Sequence, residues 1–432
     1  MIWNETVECM GRDQLREIQG MRLKKMAHYV YHNTPFYRKK FQEMDLSPDD
    51  INGIDDIVKL PFTDKLDLRD NYPFGLAAVP MSQIVRIHAS SGTTGKPVVV
   101  LYTRKDLATW AESLSRAFTA YGATKGDIFQ ISYGYGLFSG GFGAHDGATN
   151  IGASVIPMSS GNTNKQITLM HDFGSTVLCC TPSYALFLGE AMRESGYPME
   201  EFKLRIGMFG AEPWTERMRQ KLEATLGLKA YDCYGLSEIA GPGVGFECEC
   251  QHGAHINEDY FYPEVVDPKT GAVLPEGTLG ELCFTHLTKE GMPLLRYRTH
   301  DLTALHYDRC ACGRTLARID RILGRCDDML IIRGVNVFPT QIETVILSMK
   351  EFEPHYLLTV DRVNNTDTTE LRVEVKEEYF CDEMVQMVRL QKQLDAALRS
   401  VIGIGFHVKL VEPKSIERST GKVRHVIDNR KL

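Results

Sequence analysis

The sequence predicts an α/β protein with a large N-terminal domain of mostly parallel, helix-flanked sheets, a β subdomain, and a small C-terminal α+β domain. Short apolar runs alternate with amphipathic helical patterns from about residue 84 to 234, which is typical of a parallel sheet covered by helices. Turn-rich segments separate the apolar runs after about residue 260, which indicates antiparallel strands. A separate set of strand and helix patterns begins near residue 326, so we expect domains over 1–325 and 326–432.

The individual elements follow from periodicity. Leu15, Ile18 and Leu23 recur at helical spacing near the N-terminus, and a second helix includes Leu107 and Leu114. The strands predicted for the large domain are Ile84–His88, Val98–Tyr102, Ile128–Tyr133, Ala153–Pro157, Thr176–Cys180, Leu204–Phe209, Ala230–Tyr234, Tyr260–Val266, Gly280–His286 and Thr303–Tyr307. In the small domain we expect strands over 355–361, 370–376 and 406–411, a helix over 382–402, and a polar tail.

Composition narrows the class of function. The 432 residues carry a formal net charge of −7, so the chain has no general basic field for nucleic acid, and no nucleic-acid partner is expected. No apolar run approaches the length of a membrane span, and the first residues do not resemble a signal peptide, so we expect a cytoplasmic protein without membrane contact. The 11 cysteines are too dilute for a disulfide scaffold, which indicates reduced thiols or metal ligands.

The most informative segment is HASSGTTGKP over 88–97. Its glycines and hydroxyl side chains offer backbone amides and hydroxyls around a flexible turn, which suits an anion. It is not a Walker loop, because only two residues separate Gly92 from Gly95 and Pro97 follows Lys96. Strand patterns on both sides predict a strand–loop–strand device that closes over polyphosphate. A hairpin with no ligand is the alternative that loop composition alone leaves open.

Five ordered segments carry a family resemblance. The segment SSGTTGKP over 90–97 resembles the phosphate loop of the adenylate-forming superfamily, which includes the acyl-CoA synthetases. Four further segments resemble motifs of that family: YGLSEIAGPG over 234–243, RYRTHDLT over 296–303, GRCDDMLIIRGVNVFP over 324–339 and ERSTGKVRHVID over 417–428. Within the superfamily, FTDKLDLRDNYPFGLAAVP over 62–80 and YGYGLFSGG over 133–141 are most similar to the phenylacetate–CoA ligase branch.

The resemblance implies a two-step reaction with ATP, Mg²⁺ and coenzyme A. A carboxylate attacks the α-phosphorus of ATP to give acyl-AMP and pyrophosphate, and the CoA thiol then displaces AMP. The residues implied for the β- and γ-phosphates are Ser90, Ser91, Gly92, Thr93, Thr94, Gly95 and Lys96. Those implied for the rest of the nucleotide and the metal are Gly210, Ala211 and Glu212 along the adenine and acyl pockets, Tyr234 and Gly235 at the adenine, Glu238 for Mg²⁺, Asp301 at the ribose, and Arg325.

The small domain is implied to be mobile. Lys422 corresponds to the lysine that the family places against the α-phosphate and the substrate carboxylate during adenylation. Asp327 corresponds to the hinge, and the segment around Gly334 moves to the thioester-forming face after adenylation. The acyl pocket is less defined by the sequence: Tyr135 and Phe138 are our candidates for an aromatic slot that suits an aryl acid, with core packing as the alternative. The resemblance also implies a homodimer.

A structural zinc site is a further prediction. Cys310 and Cys312 form a C-x-C pair, and a second loop supplies Cys248 and His255 as the favoured partners. Cys250 and His252 are the alternates, and unrelated reduced thiols are the alternative to a metal site. Other members of the branch lack these cysteines, which implies that catalysis does not need the metal.

Two other functions stay open at this point. The chain could load an acyl group on a carrier-protein thiol, although no carrier-like domain is fused to it. It could also be a non-catalytic zinc-bearing protein on the same scaffold, but the presence of both Glu238 and Lys422 argues against that. The aryl acid itself, with phenylacetate as the first candidate, is not determined by the sequence.

Overall fold

The computed structural model describes residues 1–90, 97–326, 330–333, 335–363, 366–380, 384–419 and 423–430. Its α-helices are α1 Glu5–Glu8, α2 Arg12–Asn33, α3 Pro35–Glu43, α4 Lys65–Asp70, α5 Arg104–Ala120, α6 Gly140–Asn150, α7 Thr163–Asp172, α8 Pro182–Glu194, α9 Glu216–Leu226, α10 Pro339–Ser348 and α11 Met384–Ile402. Short 3₁₀ turns lie at Pro48–Asp50, Ile54–Lys59, Met81–Gln83 and Met199–Glu201.

The strands form several sheets. They are β1 Arg86–Ala89, β2 Val99–Tyr102, β3 Ile128–Ile131, β4 Ser154–Ile156, β5 Val177–Cys180, β6 Ile206–Gly210, β7 Lys229–Leu236, β8 Gly241–Phe246, β9 Ala254–Ile256, β10 Phe261–Val266, β11 Gly280–His286, β12 Tyr297–Thr303, β13 Leu305–His306, β14 Arg318–Ile319, β15 Gly324–Arg325, β16 Leu330–Ile332, β17 Val335–Val337, β18 Phe352–Val363, β19 Thr366–Val375, β20 His407–Val411 and β21 Val426–Asp428.

The principal sheet has the order β13-β14-β9-β8-β7-β6-β5-β3-β4. Strands β3 to β7 pair in parallel, and β8, β9, β14 and β13 extend the sheet in antiparallel pairing. Helices α5 and α6 pack against each other, as do α8 and α9. The predicted parallel, helix-flanked sheet is therefore confirmed, and the carboxyl end of β7 is where it changes to antiparallel pairing.

A second sheet, with the order β10-β11-β12-β15, is antiparallel and confirms the β subdomain. The predicted strand Thr303–Tyr307 contains the short β13, Leu305–His306, whereas β12 over Tyr297–Thr303 was not predicted. The charged residues at the start of this segment obscured the strand. Two of them are neutralised by glutamates, since Arg296 Nη2 lies 2.9 Å from Glu264 Oε1 and Arg298 pairs with Glu281.

The C-terminal part has its own sheet and core. Strands β20, β19, β18 and β21 pair in that order, with α10 and α11 packed against the sheet. Its core includes Ile342, Ile346, Leu358, Val373 and Leu394, all fully buried. The predicted polar tail is partly wrong, because β21 pairs in parallel with β18. A strand of three residues is too short to give a periodic signal.

Charged side chains join the two parts. Lys221 of α9 pairs with Glu353, and Lys414 pairs with Glu194. Glu190 of α8 lies 3.3 Å from His355 Nε2 and 3.6 Å from Arg418 Nε. Several ion pairs therefore cross the boundary between the two parts. Among the described residues, no helix is long and apolar enough to cross a membrane.

Candidate functional site

The turn between β7 and β8 brings the aromatic–glycine motif to the edge of the main sheet. Gly235 lies at an irregularity in the pairing of β7 with β8. A Cβ atom at this position would lie 1.9 Å from the carbonyl oxygen of Gly241, so only glycine fits without a backbone shift. Glycine at position 235 therefore allows β7 and β8 to approach each other directly after Tyr234.

Tyr234, Asp301 and Arg325 meet beside this turn. The hydroxyl of Tyr234 donates a hydrogen bond of 2.6 Å to Oδ2 of Asp301. Arg325 Nη1 lies 3.7 Å from Asp301 Oδ1, because Asp301 and Arg325 are direct partners in the pairing of β12 with β15. Burial, together with the negative charge of Asp301, raises the pKa of Tyr234 well above its ordinary value, so the phenol stays protonated and remains a donor. Three predicted nucleotide residues therefore converge.

The carboxylate of Glu238 lies in the same turn and is almost buried. Within the described part of the chain it has no hydrogen-bond or ion-pair partner. The next residue is held firmly: the carbonyl oxygen of Ile239 lies 2.6 Å from His286 Nε2 and accepts a hydrogen bond of 2.8 Å from Lys289 Nζ. A nearly buried carboxylate on a fixed turn is a suitable oxygen ligand for a hard cation.

His286 and Lys289 were missed by the sequence argument. The ring of His286 accepts a hydrogen bond from Leu294 N at Nδ1, so Nε2 is the donor toward Ile239. Burial lowers the pKa of His286 well below its ordinary value and that of Lys289 to about 8. A charged segment such as LTKEG gives no sign that one of its residues is buried, so the sequence did not indicate either residue.

The predicted phosphate hairpin has the expected flanks. Strands β1 and β2 pair antiparallel, with Ala89 opposite Val99. Ser90 continues the pairing, because its amide donates to the carbonyl of Val98 and its hydroxyl accepts from the amide of Val98 at 3.3 Å. The strand–loop–strand prediction is confirmed at these flanks. The remaining predicted phosphate residues, Ser91, Gly92, Thr93, Thr94, Gly95 and Lys96, lie outside the described residues.

The segment after β6 holds close backbone, as expected. A Cβ atom at Gly210 would lie 2.3 Å from the carbonyl oxygen of Cys233. Ala211 has a φ of 70°, which few residues other than glycine adopt. The carboxylate of Glu212 accepts from the amide of Ser183 at 2.7 Å and from the amide of Val423 at 3.0 Å. The side chain of Glu212 therefore bridges the large and small domains.

A cavity of about 420 Å³ lies next to Tyr234. Its lining from the large domain includes Trp214 and Asp232, and its lining from the small domain includes Thr340 and Gln341. This volume is within the usual range of about 300–1,000 Å³ for small-molecule sites. The cavity is therefore a candidate place for a ligand beside Tyr234, at the boundary between the two parts.

The glycine-rich segment over 133–145 adjoins the phosphate hairpin. The carbonyl of Leu137 accepts from the amide of Ala89 and lies 3.0 Å from His88 Nδ1. Tyr135 is half-buried, and its hydroxyl lies 3.2 Å from His145 Nδ1. Phe138 is 43% exposed. Both candidate acyl-pocket residues therefore lie on the segment joined to β1.

The predicted zinc ligands form a compact cluster. Ligand atoms of Cys248, His255, Cys310 and Cys312 all lie within 4.8 Å of one another. The two sulfur atoms of Cys248 and Cys310 are 3.8 Å apart, and Cys312 Sγ lies 3.5 Å from His255 Nε2. His255 Nδ1 lies 3.3 Å from the carbonyl oxygen of Leu316, which orients Nε2 toward the sulfurs. Three sulfurs and one imidazole fit a closed tetrahedral zinc site.

The alternates lie outside this cluster. Cys250 is exposed, and His252 Nδ1 lies 2.8 Å from Arg318 Nη1. Strand pairing explains the choice, because the register of β9 with β14 places His255, and not His252, opposite Arg318 near the Cys310–Cys312 turn.

The predicted residues of the small domain are only partly visible. Asp327, Gly334 and Lys422 lie outside the described residues, although Val423, directly after Lys422, contacts Glu212.

The sequence argument missed Glu343 of α10. Its Oε1 accepts hydrogen bonds from Thr215 N at 3.2 Å and from Thr215 Oγ1 at 2.8 Å. Burial raises the pKa of Glu343 to about 7.

Comparison with known proteins gives consistent relatives. The sequence matches the AMP-binding enzyme family over residues 23–287 and the AMP-binding enzyme C-terminal domain over residues 334–430. It is 48% identical to a phenylacetate-coenzyme A ligase of Thermus thermophilus, with 100% of both chains covered. It is 49% identical to a phenylacetate-coenzyme A ligase of Aromatoleum evansii, over 99% of this chain and 97% of that one.

Two crystal structures of one enzyme bear on the arrangement of the parts. A 2-hydroxyisobutyryl-CoA ligase in the postadenylation state, with an acyl-AMP bound, has a TM-score of 0.93 at 28% identity, over 98% of this chain and 92% of that one. The same enzyme in the thioesterification state, with 2-HIB-AMP and CoA, has a TM-score of 0.73 at 29% identity, over 99% and 92%. The arrangement found here is thus closer to the postadenylation state. The chain belongs to the AMP-binding enzyme family, in its phenylacetate–CoA ligase branch.

Proposed function

We propose that this protein joins an aryl acid, with phenylacetate as the first candidate, to coenzyme A by way of an acyl adenylate, releasing AMP and pyrophosphate. The observation that carries the proposal is the meeting of Tyr234 and Asp301 beside the Glu238 turn, in a chain 48% identical over its whole length to a phenylacetate-coenzyme A ligase. A carboxylate is a poor acyl donor at neutral pH, and adenylation turns one of its oxygens into part of a leaving group. The chain's tasks are positioning and charge neutralisation.

ATP binding is assigned to three places. Asp301 would accept hydrogen bonds from the ribose hydroxyls beside its contact with Tyr234. Tyr234, with Gly235 keeping its strand in place, would offer its ring to adenine beside the cavity, and the close backbone of Gly210 and Ala211 would pass along the same pocket. The hairpin over 90–96 would donate hydrogen bonds from its amides and hydroxyls, and the charge of Lys96, to the β- and γ-phosphates. Arg325 would contact the nucleotide from β15.

Glu238 is assigned to Mg²⁺. The fit is chemical: a nearly buried carboxylate with no partner among the described residues offers oxygen to a hard cation. When bound, Mg²⁺ supplies positive charge that offsets the triphosphate. Ile239, held by His286 and Lys289, keeps the Glu238 turn from moving as that charge changes.

Lys422 is assigned to the adenylation step. Its ammonium would offset the charge of the α-phosphate and the incoming carboxylate as the two anions approach each other. After adenylation the small domain, residues 326–432, would turn at Asp327 and bring the segment around Gly334 to the acyl adenylate. Glycine there would allow close backbone contact with the pantetheine arm of CoA.

The acyl group is assigned to the segment over 133–145. Tyr135 and Phe138 would line an aromatic slot on the side of the site next to the phosphate hairpin. Because Leu137 is tied to β1, this slot is held at a constant distance from the phosphates. A flat aromatic slot supports an aryl acid over a long aliphatic one.

The function is tested with purified protein, Mg²⁺, ATP and a panel of aryl and aliphatic acids, with and without CoA. We expect AMP and pyrophosphate to appear only with an acid, and an acyl-CoA to form with arylacetates. Transfer only to a carrier protein, or no AMP with any acid, would favour one of the two alternative functions. Cleavage of ATP to ADP would contradict adenylation.

Lys422→Ala separates the two steps. We expect adenylation, measured by acid-dependent exchange of pyrophosphate into ATP, to fall by about 10²–10³-fold, as for the loss of one group that stabilises developing charge. Thioester formation from supplied acyl-AMP should stay largely intact. Lys409→Ala, which removes an exposed lysine from β20 of the same domain, is the matched control. Equal loss of both steps in Lys422→Ala would contradict the alternation of domains.

We also propose that Cys248, His255, Cys310 and Cys312 hold a structural Zn²⁺. The support is the cluster of three sulfurs and one oriented imidazole. The metal would link the segment after β8 to the loop before β14. The homodimer and the cytoplasmic location remain predictions.

A further inference from the structure

Glu212 occupies an unusual position between two backbone amides. It follows β6 and Ala211, whose φ of 70° turns the chain sharply. One carboxylate oxygen accepts from the amide of Ser183 at 2.7 Å, and the other accepts from the amide of Val423 at 3.0 Å. Both oxygens are thereby used, one on each side of the boundary between the domains.

The large-domain contact anchors the carboxylate. Ser183 is in the first turn of α8, where backbone amides have no partner within the helix. A carboxylate is favoured there by these donors and by the helix dipole. The strained backbone at Ala211 aims Glu212 at this point, and strain of that kind persists where the surrounding structure enforces it.

The small-domain contact acts on the neighbouring residue. The amide of Val423 belongs to the peptide group whose carbonyl is that of Lys422. Because a peptide group is planar, a hydrogen bond on its N–H limits how the chain can turn at this link. A hydrogen bond to an ionised carboxylate is about twice as strong as one between neutral groups, which favours that restriction.

We propose that Glu212 is a positioning residue for adenylation, which holds the Val423 amide and so places Lys422 against the reacting phosphate. The inference rests on the proposed role of Lys422. It is supported by the arrangement of the domains, which is closer to a ligase in the postadenylation state than to the same ligase in the thioesterification state. The latch, defined as Glu212 with the amides of Ser183 and Val423, releases when the small domain turns.

Glu212→Gln tests the latch at nearly constant size. A glutamine offers one acceptor oxygen, and its amide group faces the other backbone N–H as a second donor, so it can satisfy only one of the two amides. A displacement of about 1 Å in a reacting group can cost about 10²-fold in rate. We therefore expect acid-dependent pyrophosphate exchange to fall by about 10- to 100-fold, while thioester formation from supplied acyl-AMP changes less than about threefold.

Glu190→Gln is the matched control. Glu190 also bridges from α8 to the small domain, toward His355 and Arg418, but it does not touch Val423. If Glu212 served only general adhesion between the domains, the two variants would lose pyrophosphate exchange to a similar extent. A much smaller loss in Glu190→Gln supports the latch, and equal losses overturn it.

A double variant shows whether Glu212 acts through Lys422. In the Lys422→Ala background, Glu212→Gln should lower the residual adenylation by less than about twofold, because the group it positions is gone. Losses that multiply would overturn the inference, as would an equal fall of both half-reactions in Glu212→Gln alone. A wild-type protein that forms no acyl adenylate would refute the proposed function instead, so the two failures are distinguishable.

Discussion

Replacing Glu343 by Gln should strengthen the docking of the small domain at neutral and alkaline pH. In the docked arrangement the carboxylate is 3% exposed and receives both hydrogen bonds from Thr215 at the same oxygen. Burial raises its pKa from 4.5 to about 7, and the nearby negative charge of Glu212 acts in the same direction. Glutamine retains the accepting oxygen and carries no charge to desolvate.

The size of the effect follows from the two pKa values. Docking favours the protonated acid, so it is strongest below pH 4.5, weakens as pH rises toward about 7, and is constant above that. The difference between 4.5 and about 7 corresponds to about 3–4 kcal/mol of docking free energy, at about 1.4 kcal/mol per pH unit. Glu343→Gln should remove this penalty, which is about 300-fold in the docking equilibrium at pH 8.

Hydrogen exchange measures the docking directly. The Thr215 amide and the peptide over 339–348 should be less protected in wild type at pH 8 than at pH 6, after correction for intrinsic exchange, whereas Glu343→Gln should be equally protected at both. Glu378→Gln, an exposed change in the same domain, should follow wild type. A wild-type protection that is the same at both pH values, or a Glu343→Gln profile parallel to wild type, would refute the reasoning.

Three further outcomes are expected. Cys310→Ser should lower zinc from about one per chain to almost none and lower the melting temperature, with little change in turnover per folded molecule; unchanged zinc stoichiometry by mass spectrometry would refute the metal assignment. Asp301→Asn should raise the KM for ATP by about 10- to 100-fold because one ribose acceptor becomes a donor, and an unchanged KM in pyrophosphate exchange would contradict its role. Tyr135→Ala should reduce the preference for phenylacetate over small aliphatic acids by about 10- to 200-fold in kcat/KM, and an unchanged preference would exclude it from the pocket.

Regular alternation made much of the fold predictable. The buried strands from β3 to β7 are apolar runs between helical patterns. That alternation predicted a parallel sheet, and these strands do pair in parallel. The strand β12 was missed because the charges of Arg296 and Arg298 are typical of a surface segment. Their glutamate partners come from β10 and β11, and the sequence does not show which distant charges will pair.

The residues of the candidate site also fall into those that the sequence could indicate and those that it could not. Residues whose chemistry depends on local motif, such as Tyr234 and Asp301, could be named in advance. Residues that act by burial or by contact between domains could not, because Lys289 and Glu343 resemble ordinary surface charges in the sequence. The choice of His255 over His252 needed the pairing of two strands that the sequence did not predict.

The charged seam between the two domains has a consequence for a protein that opens and closes. Water can solvate the charged groups of this seam about as well as they solvate each other. These groups belong to Lys221, Glu353, Glu190, Arg418 and Lys414. Separation therefore replaces these ion pairs by contacts with water at little net electrostatic cost. The same composition makes the closed form sensitive to ionic strength, so added salt should favour the open one.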